Sequence, residues 1–246
     1  MAKIASYSVE EVTRLRGRVE SELKEIGCFQ QASQKFTEVL YEELSPSAVL
    51  FRVFATIDYE KLPPRERDFA MELARSRTFL DELKPKTPVV TLLGSRGKRP
   101  SWNHRHRSER HLAVPLVKAS FIKTIPMVSR LMGDMGTGLP WVQKQDQNMI
   151  VRSMGQMARV LYVEDALETR TRDGYDVIPD RSFVEEYKVR TVLALGGAYL
   201  NGTVVAVVLF TNERVASDRV EKLLPVLHGF KIATMKAVMR GNVFPS

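Results

Sequence analysis

The chain has one cysteine, Cys28, among 246 residues. No intrachain disulfide is therefore possible, and the fold must hold by packing. No C-x-x-C pair exists to redox-cycle, and no cysteine set exists to hold zinc. Long apolar runs are missing as well. The longest, Val204 to Phe210, has the length of a strand and falls far short of the roughly 20 residues that span a bilayer. The opening residues, MAKIASYSVEEV, contain no apolar h-region, which speaks against a secretory leader. The expectation is a cytoplasmic protein with no membrane partner. Several chemical signatures are absent too. There is no G-x-S-x-G, no H-E-x-x-H, no kinase motif and no EF-hand spacing. Gly94-Ser95-Arg96-Gly97 lacks the spacing of a phosphate loop.

What is present is ordinary for a folded domain, with 44% apolar and 27% charged residues. The net charge is +8, and part of the excess is local. Arg96, Lys98, Arg99, Arg105, Arg107 and Arg110 fall in one stretch, opposed only by Glu109. His104, His106 and His111 lie in the same stretch.

Periodicity divides the chain into helices and strands. Ser8 followed by Glu11 is a capping box, and Val12, Leu15, Val19, Leu23 and Ile26 form one helical stripe. A second helix is predicted over 29–44, and a third begins at Pro63-Pro64 with Phe69, Leu73 and Ala74 inward. Strands are predicted at 48–57, 89–93, 112–116 and 160–163. Residues 96–111 read as a loop and 121–132 as a helix. A short helix is predicted over 181–187. Residues 189–199 and 203–211 are two almost wholly apolar strands, joined by Leu200-Asn201-Gly202. An Asn-Gly pair supplies the positive φ of a tight hairpin. Strands of this composition are covered on both faces, which puts the hairpin at the centre of a sheet. A long helix over 215–239 follows. Its apolar face is Val220, Leu223, Leu224, Leu227, Phe230, Ile232 and Met235, and Pro225 should kink it or delay its start.

The order strand, Asn-Gly turn, apolar strand, long helix resembles the end of a GAF domain. The residues that carry the resemblance are VRTVLALGGAYLNGTVVAVVLFTNERV and the helix after them. FVEEYKVRTVLALGG, TLLGSRGKRPSWNHRHRSERHLAVPL and FIKTIPMVSRL are similar to parts of sensory regions fused to bacterial histidine kinases and phosphatases. The resemblance implies an α+β fold with a GAF/PAS-like central antiparallel sheet, flanked by N- and C-terminal helices. It implies a helical segment at 1–46 and a GAF-like sensory domain at 47–246, together one structural unit. It also implies a regulatory module in signal transduction that binds a small ligand and acts through a separate kinase or other output protein. Pairing through a terminal helix would make it a homodimer. GAF members bind cyclic nucleotides, haem, tetrapyrroles, small acids or nothing, so the motifs specify no cofactor.

Candidate ligand-wall residues are Trp102, His104, His111, Trp141 and Tyr162, from aromatic or imidazole chemistry near the loops at 96–111 and 134–142. Candidate anion-binding residues are Arg99, Arg105 and Arg107, because guanidinium forks grip carboxylate or phosphate. Two other functions fit the same loop. One is a nucleic-acid or anion-binding protein, whose affinity would fall steeply with salt. The other is a metal-dependent enzyme using the histidines, although the surrounding arginines would repel a cation. No motif positively indicates catalysis.

Overall fold

In a computed structural model of the chain, six strands form one antiparallel sheet. The description covers residues 2–108, 111–129, 159–170, 174 and 176–245. The strands are β1 (Ala48–Asp58), β2 (Pro88–Gly97), β3 (Ala113–Pro115), β4 (Arg159–Val163), β5 (Val192–Ala198) and β6 (Val204–Thr211), in the order β3-β2-β1-β6-β5-β4. The hairpin β5–β6 is interior, as its two-sided apolar sequence requires, with β1 beside β6 and β4 beside β5. Its turn departs from the expected Asn-Gly pair of positive φ angles, because only Gly202 has one. Gly202 takes φ of 85° and its N–H donates to Tyr199 O (3.0 Å), so Leu200 and Asn201 form the corner of the turn. Asn201 accepts from Thr203 N and donates to Val238 O, pinning the turn to the last helix.

Three helices cover the first face of the sheet. They are α1 (Val9–Leu23), α2 (Phe29–Leu44) and, at the end of the chain, α7 (Leu224–Met239). The capping box of α1 forms in full, with Glu11 N donating to Ser8 Oγ and Ser8 N to Glu11 Oε2. The stripe Val12, Leu15, Val19, Leu23 is buried inside this chain, against α2 and α7. The start of α2 has no side-chain cap. Its free amides at Phe29 and Gln30 donate instead to Asn242 O (2.9 Å) and Val243 O (2.8 Å), which ties the C-terminal tail to the N-terminal helices. Alternate residues of β1, namely Phe51, Val53, Ala55 and Ile57, point into this layer. There they meet a ring stack in which Phe36 and Phe230 lie 4.3 Å apart and Phe29 meets Tyr199 edge-on. One continuous apolar core runs from Ile4 to Val238.

The last helix is broken where the sequence places proline. A short α6 (Ser217–Glu221) ends before α7, and Pro225 occupies its first turn, where a missing amide costs nothing. Ile232, expected on the apolar face, is 59% exposed. Gly229, Phe230, Thr234, Ala237 and Val238 form the buried face instead, which rotates Ile232 outward. The basic stretch also departs from a plain loop. β2 runs on through Gly97, and two 3-10 turns follow at Pro100–Asn103 and Arg105–Arg107.

The second face carries shorter elements. α3 (Pro64–Arg75) lies beside β3. α4 (Ala119–Lys123) and α5 (Arg181–Glu186) pack over the strands through Phe121 and Ile122, and through Phe183 and Val184. The expected helix over 121–132 is interrupted after Lys123, and residues 126–129 are helical again. No helix among the described residues is long and apolar enough to cross a membrane.

Candidate functional site

The two faces of the sheet differ in kind. On the first, side chains and helices interlock. A cavity of about 10 Å³ there, lined by Leu15, Phe36, Leu40, Leu195, Val207 and Leu227, offers room for no more than a water and no polar group to hold it. It is a packing seam, not a ligand site.

Period-two alternation turns Arg52, Phe54 and Thr56 of β1, all half-buried, to the second face. Register places Ser95 and Val208 directly beside Arg52, and Leu92 and Ala206 beside Phe54. One strand further on, Ala194 is paired with Val208 and Gly196 with Ala206. The floor at this point is therefore small side chains. An apolar cluster stands on either side of it. One contains Phe121, Ile122, Val114 and Ala198. The other contains Val49, Leu50, Leu161, Val208 and Phe210, with Phe54, Trp102, Phe183 and Tyr187 packed against it.

Trp102 belongs to that second wall. It sits on the turn after β2, where Gly97 leaves it room: a Cβ there would come within 2.8 Å of Trp102 Cε3. Gly97 N donates to Asn103 Oδ1 (3.0 Å), which fixes the turn. The indole meets Phe183 edge-on at 5.5 Å and Tyr187 at 4.7 Å, and Phe183 meets Phe210 at 5.3 Å. Trp102 thus helps fill an aromatic wall.

Tyr162 pairs with Leu193 and packs on the first face, where its hydroxyl donates to Val215 O (2.8 Å). Trp102 and Tyr162 therefore lie on opposite sides of the sheet. His104 is exposed, and His111 is half-buried in the turn before β3. Trp141 lies outside the described residues. No group of three or more His, Cys, Asp or Glu side chains able to hold a metal occurs among the described residues.

The three arginines expected to bind anions have three different surroundings. Arg99 is exposed and lies 5.8 Å over the Trp102 ring. Arg107 is exposed. Arg105 is buried and already engaged: its Nη1 donates to Glu66 Oε1 and to Leu92 O, and its guanidinium lies over the Phe244 ring. Glu66, on the buried face of α3, is 1% exposed and also meets His106 Nε2 at 3.2 Å. Partial burial and the neighbouring Arg105 charge lower the His106 pKa, with Glu66 opposing them. This trio fastens the basic turn to α3 and takes its most buried cation out of reach of an outside anion.

Sequence reasoning missed Arg52. It is a cation in the middle of an apolar strand, AVLFRVFATID, in the interior of the sheet. Its Nε is sealed from solvent and has no hydrogen-bond partner. Burial pulls its pKa down to about 10, which still leaves it charged at neutral pH. The signal was a single charged residue on a strand with both faces covered, where a charge is costly unless something pairs with it.

No family model and no curated protein sequence matches the chain. Among solved structures, its shape is similar to free methionine-R-sulfoxide reductase from Neisseria meningitidis in complex with its substrate, with a TM-score of 0.48, 9% identity and 98% of each chain covered. It is also similar to the phycoerythrobilin-bound GAF domain of a cyanobacterial phytochrome, with a TM-score of 0.45 and 10% identity over 96% of this chain and 99% of that one. These scores lie below 0.5 and bear on neither ligand nor activity. The strand order, the interior hairpin and the helix behind it make the fold GAF-like, as the sequence resemblance implies.

Proposed function

We propose that the protein is a GAF-like sensory module that binds a small ligand on the second face of its sheet and acts on a separate output protein. The observation that carries this reading is the asymmetry of the sheet. The first face is filled by α1, α2 and α7, and the cavity described there holds no more than a water. The second has small, buried side chains at Ala194, Gly196 and Ala206 beside two apolar clusters, with Arg52 and Ser95 in the neighbouring rows of the sheet. Small-molecule sites are usually apolar with a few placed polar groups, and the second face has that composition.

The test is native mass spectrometry of untagged, freshly purified protein, with an absorption spectrum of the same sample and hydrogen exchange after ligand removal. The expected result is a small-molecule adduct, and faster exchange in β5 and β6 once it is removed. A protein carrying only its own mass, with no melting shift against a broad metabolite panel, would overturn the reading.

A further inference from the structure

We propose that Arg52 anchors an anion subsite on the second face of the sheet, and that the ligand is an organic monocarboxylate with an apolar body. This rests on the small-ligand reading above and adds the chemical class. The starting point is the Arg52 Nε, buried without an acceptor on a half-buried side chain. β1 is bonded to β2 on one side and β6 on the other, so its backbone is covered and Arg52 can reach only outward from the second face. There its Nε is buried with no acceptor, and no ion pair to the residue occurs among the described residues. By contrast, Arg105 has Glu66, and Arg96 lies 5.5 Å over Tyr41.

The surroundings narrow the partner. Arg52 is flanked by Val208 and Leu50, and by Phe54 at the next position along its own face, with Ser95 paired to it on β2. One cation among apolar neighbours balances one negative charge. A phosphate dianion would leave a second charge unpaired in a poorly solvated place, which is costly. A carboxylate matches the paired N–H groups of the guanidinium in two parallel hydrogen bonds. Its organic body would lie over Ala206 and Gly196, where the side chains are smallest. Ser95 is positioned to donate a further bond to the same carboxylate.

The full chain can be titrated with phenylacetate and hexanoate, and with phenylacetamide, hexanamide and inorganic phosphate for comparison. Binding is followed by calorimetry and by melting temperature. The carboxylates should bind saturably, the amides about tenfold or more weaker, and phosphate not at all. Arg52→Met should lose carboxylate binding while melting no lower than the parent, because a half-buried cation with an unpartnered Nε has been removed. Arg52→Lys, which keeps the charge and loses the fork, should bind with intermediate affinity. Amides binding as tightly as acids, or unchanged affinity in Arg52→Met, would overturn the anion assignment and leave the pocket standing. Binding of phosphate alone, or of neither carboxylate, would overturn the assignment as well. The adduct measurement described above then decides separately whether a pocket exists.

Discussion

Glu66 and Arg105 show how much a single contact can hide from a sequence. Arg105 stands in a string of basic residues and has the same local signature as Arg99 and Arg107. Its partner lies 39 positions earlier, on a helix whose inward face was expected to be apolar. Only the fold reveals that this arginine is structural. Replacing Arg105 with Met should cost about 3–5 kcal/mol, because it leaves the buried Glu66 carboxylate with only the half-exposed His106 beside it. The double replacement Glu66→Gln with Arg105→Met should recover much of that loss. Urea unfolding of the parent and these two variants checks both statements, and equal loss in the single and double variants would contradict the account. Arg52 is the converse case. Its position in an apolar strand was visible, but a charge at an alternating position reads as solvent-facing until the strand is known to be interior.

The elements were the most legible level, because capping and periodicity are local. The bounds of α2 follow from the apolar spacing of Phe36, Val39, Leu40 and Leu44 and the proline at 46, and the cap of α1 from Ser8 and Glu11. The β5–β6 hairpin followed from its turn residues and its continuous apolar flanks. What could not be read was how closely elements approach one another. At Gly94 the strand β2 touches α2 directly. A Cβ built there would lie 2.3 Å from Ser33 O and 2.9 Å from Gln34 N, both backbone atoms that cannot swing away. The same junction is bridged by Gln34, whose amide accepts from Ser95 N (3.0 Å) and donates to Ser95 O (3.1 Å). β2 accommodates it with an irregularity in which Leu93 is skipped between the pairs Val53↔Gly94 and Phe54↔Leu92. Gly94→Ala should therefore destabilise by about 1–3 kcal/mol, as overpacking does, where an alanine in an unhindered strand would be neutral or favourable. Thermal unfolding of this variant beside Gly17→Ala, whose added Cβ meets nothing within 4 Å, separates crowding from any general effect of alanine.

At the scale of the whole molecule, two histidines on separate elements give stability a common pH dependence. His106 and His228 are both held below the usual histidine range, first by partial burial and then by nearby cations, Arg105 for the former and Lys231 for the latter. A histidine with a lowered folded pKa binds its proton more readily in the unfolded chain. Stability is then highest above the unfolded value and falls as the pH drops below about 6.5. His106 is 49% exposed, so its share is modest. The melting temperature should decline from pH 8 to pH 5.5, and His106→Gln with His228→Gln should flatten that decline. An unchanged slope in the double variant would place the dependence elsewhere. The two-faced plan of the molecule was only partly legible. Amphipathic helices announce that they cover something, but the separation of Trp102 from Tyr162 depends on strand register, and register is set by pairings between distant parts of the chain.

The β1–β6 ladder has a consequence in time. It joins residues 48–55 to residues 205–211, and the sheet's two halves meet only there. Loop closure over so long a stretch is slow compared with forming hairpins and helices, so this ladder should be among the last to assemble. On the ribosome, β1 emerges well before its partner has been synthesised. Until then one edge of an apolar strand is bare, and such edges recruit other chains. Nascent protein should thus be most prone to aggregate during the second half of its synthesis. Slowing translation between β2 and β5 would lengthen that exposed interval.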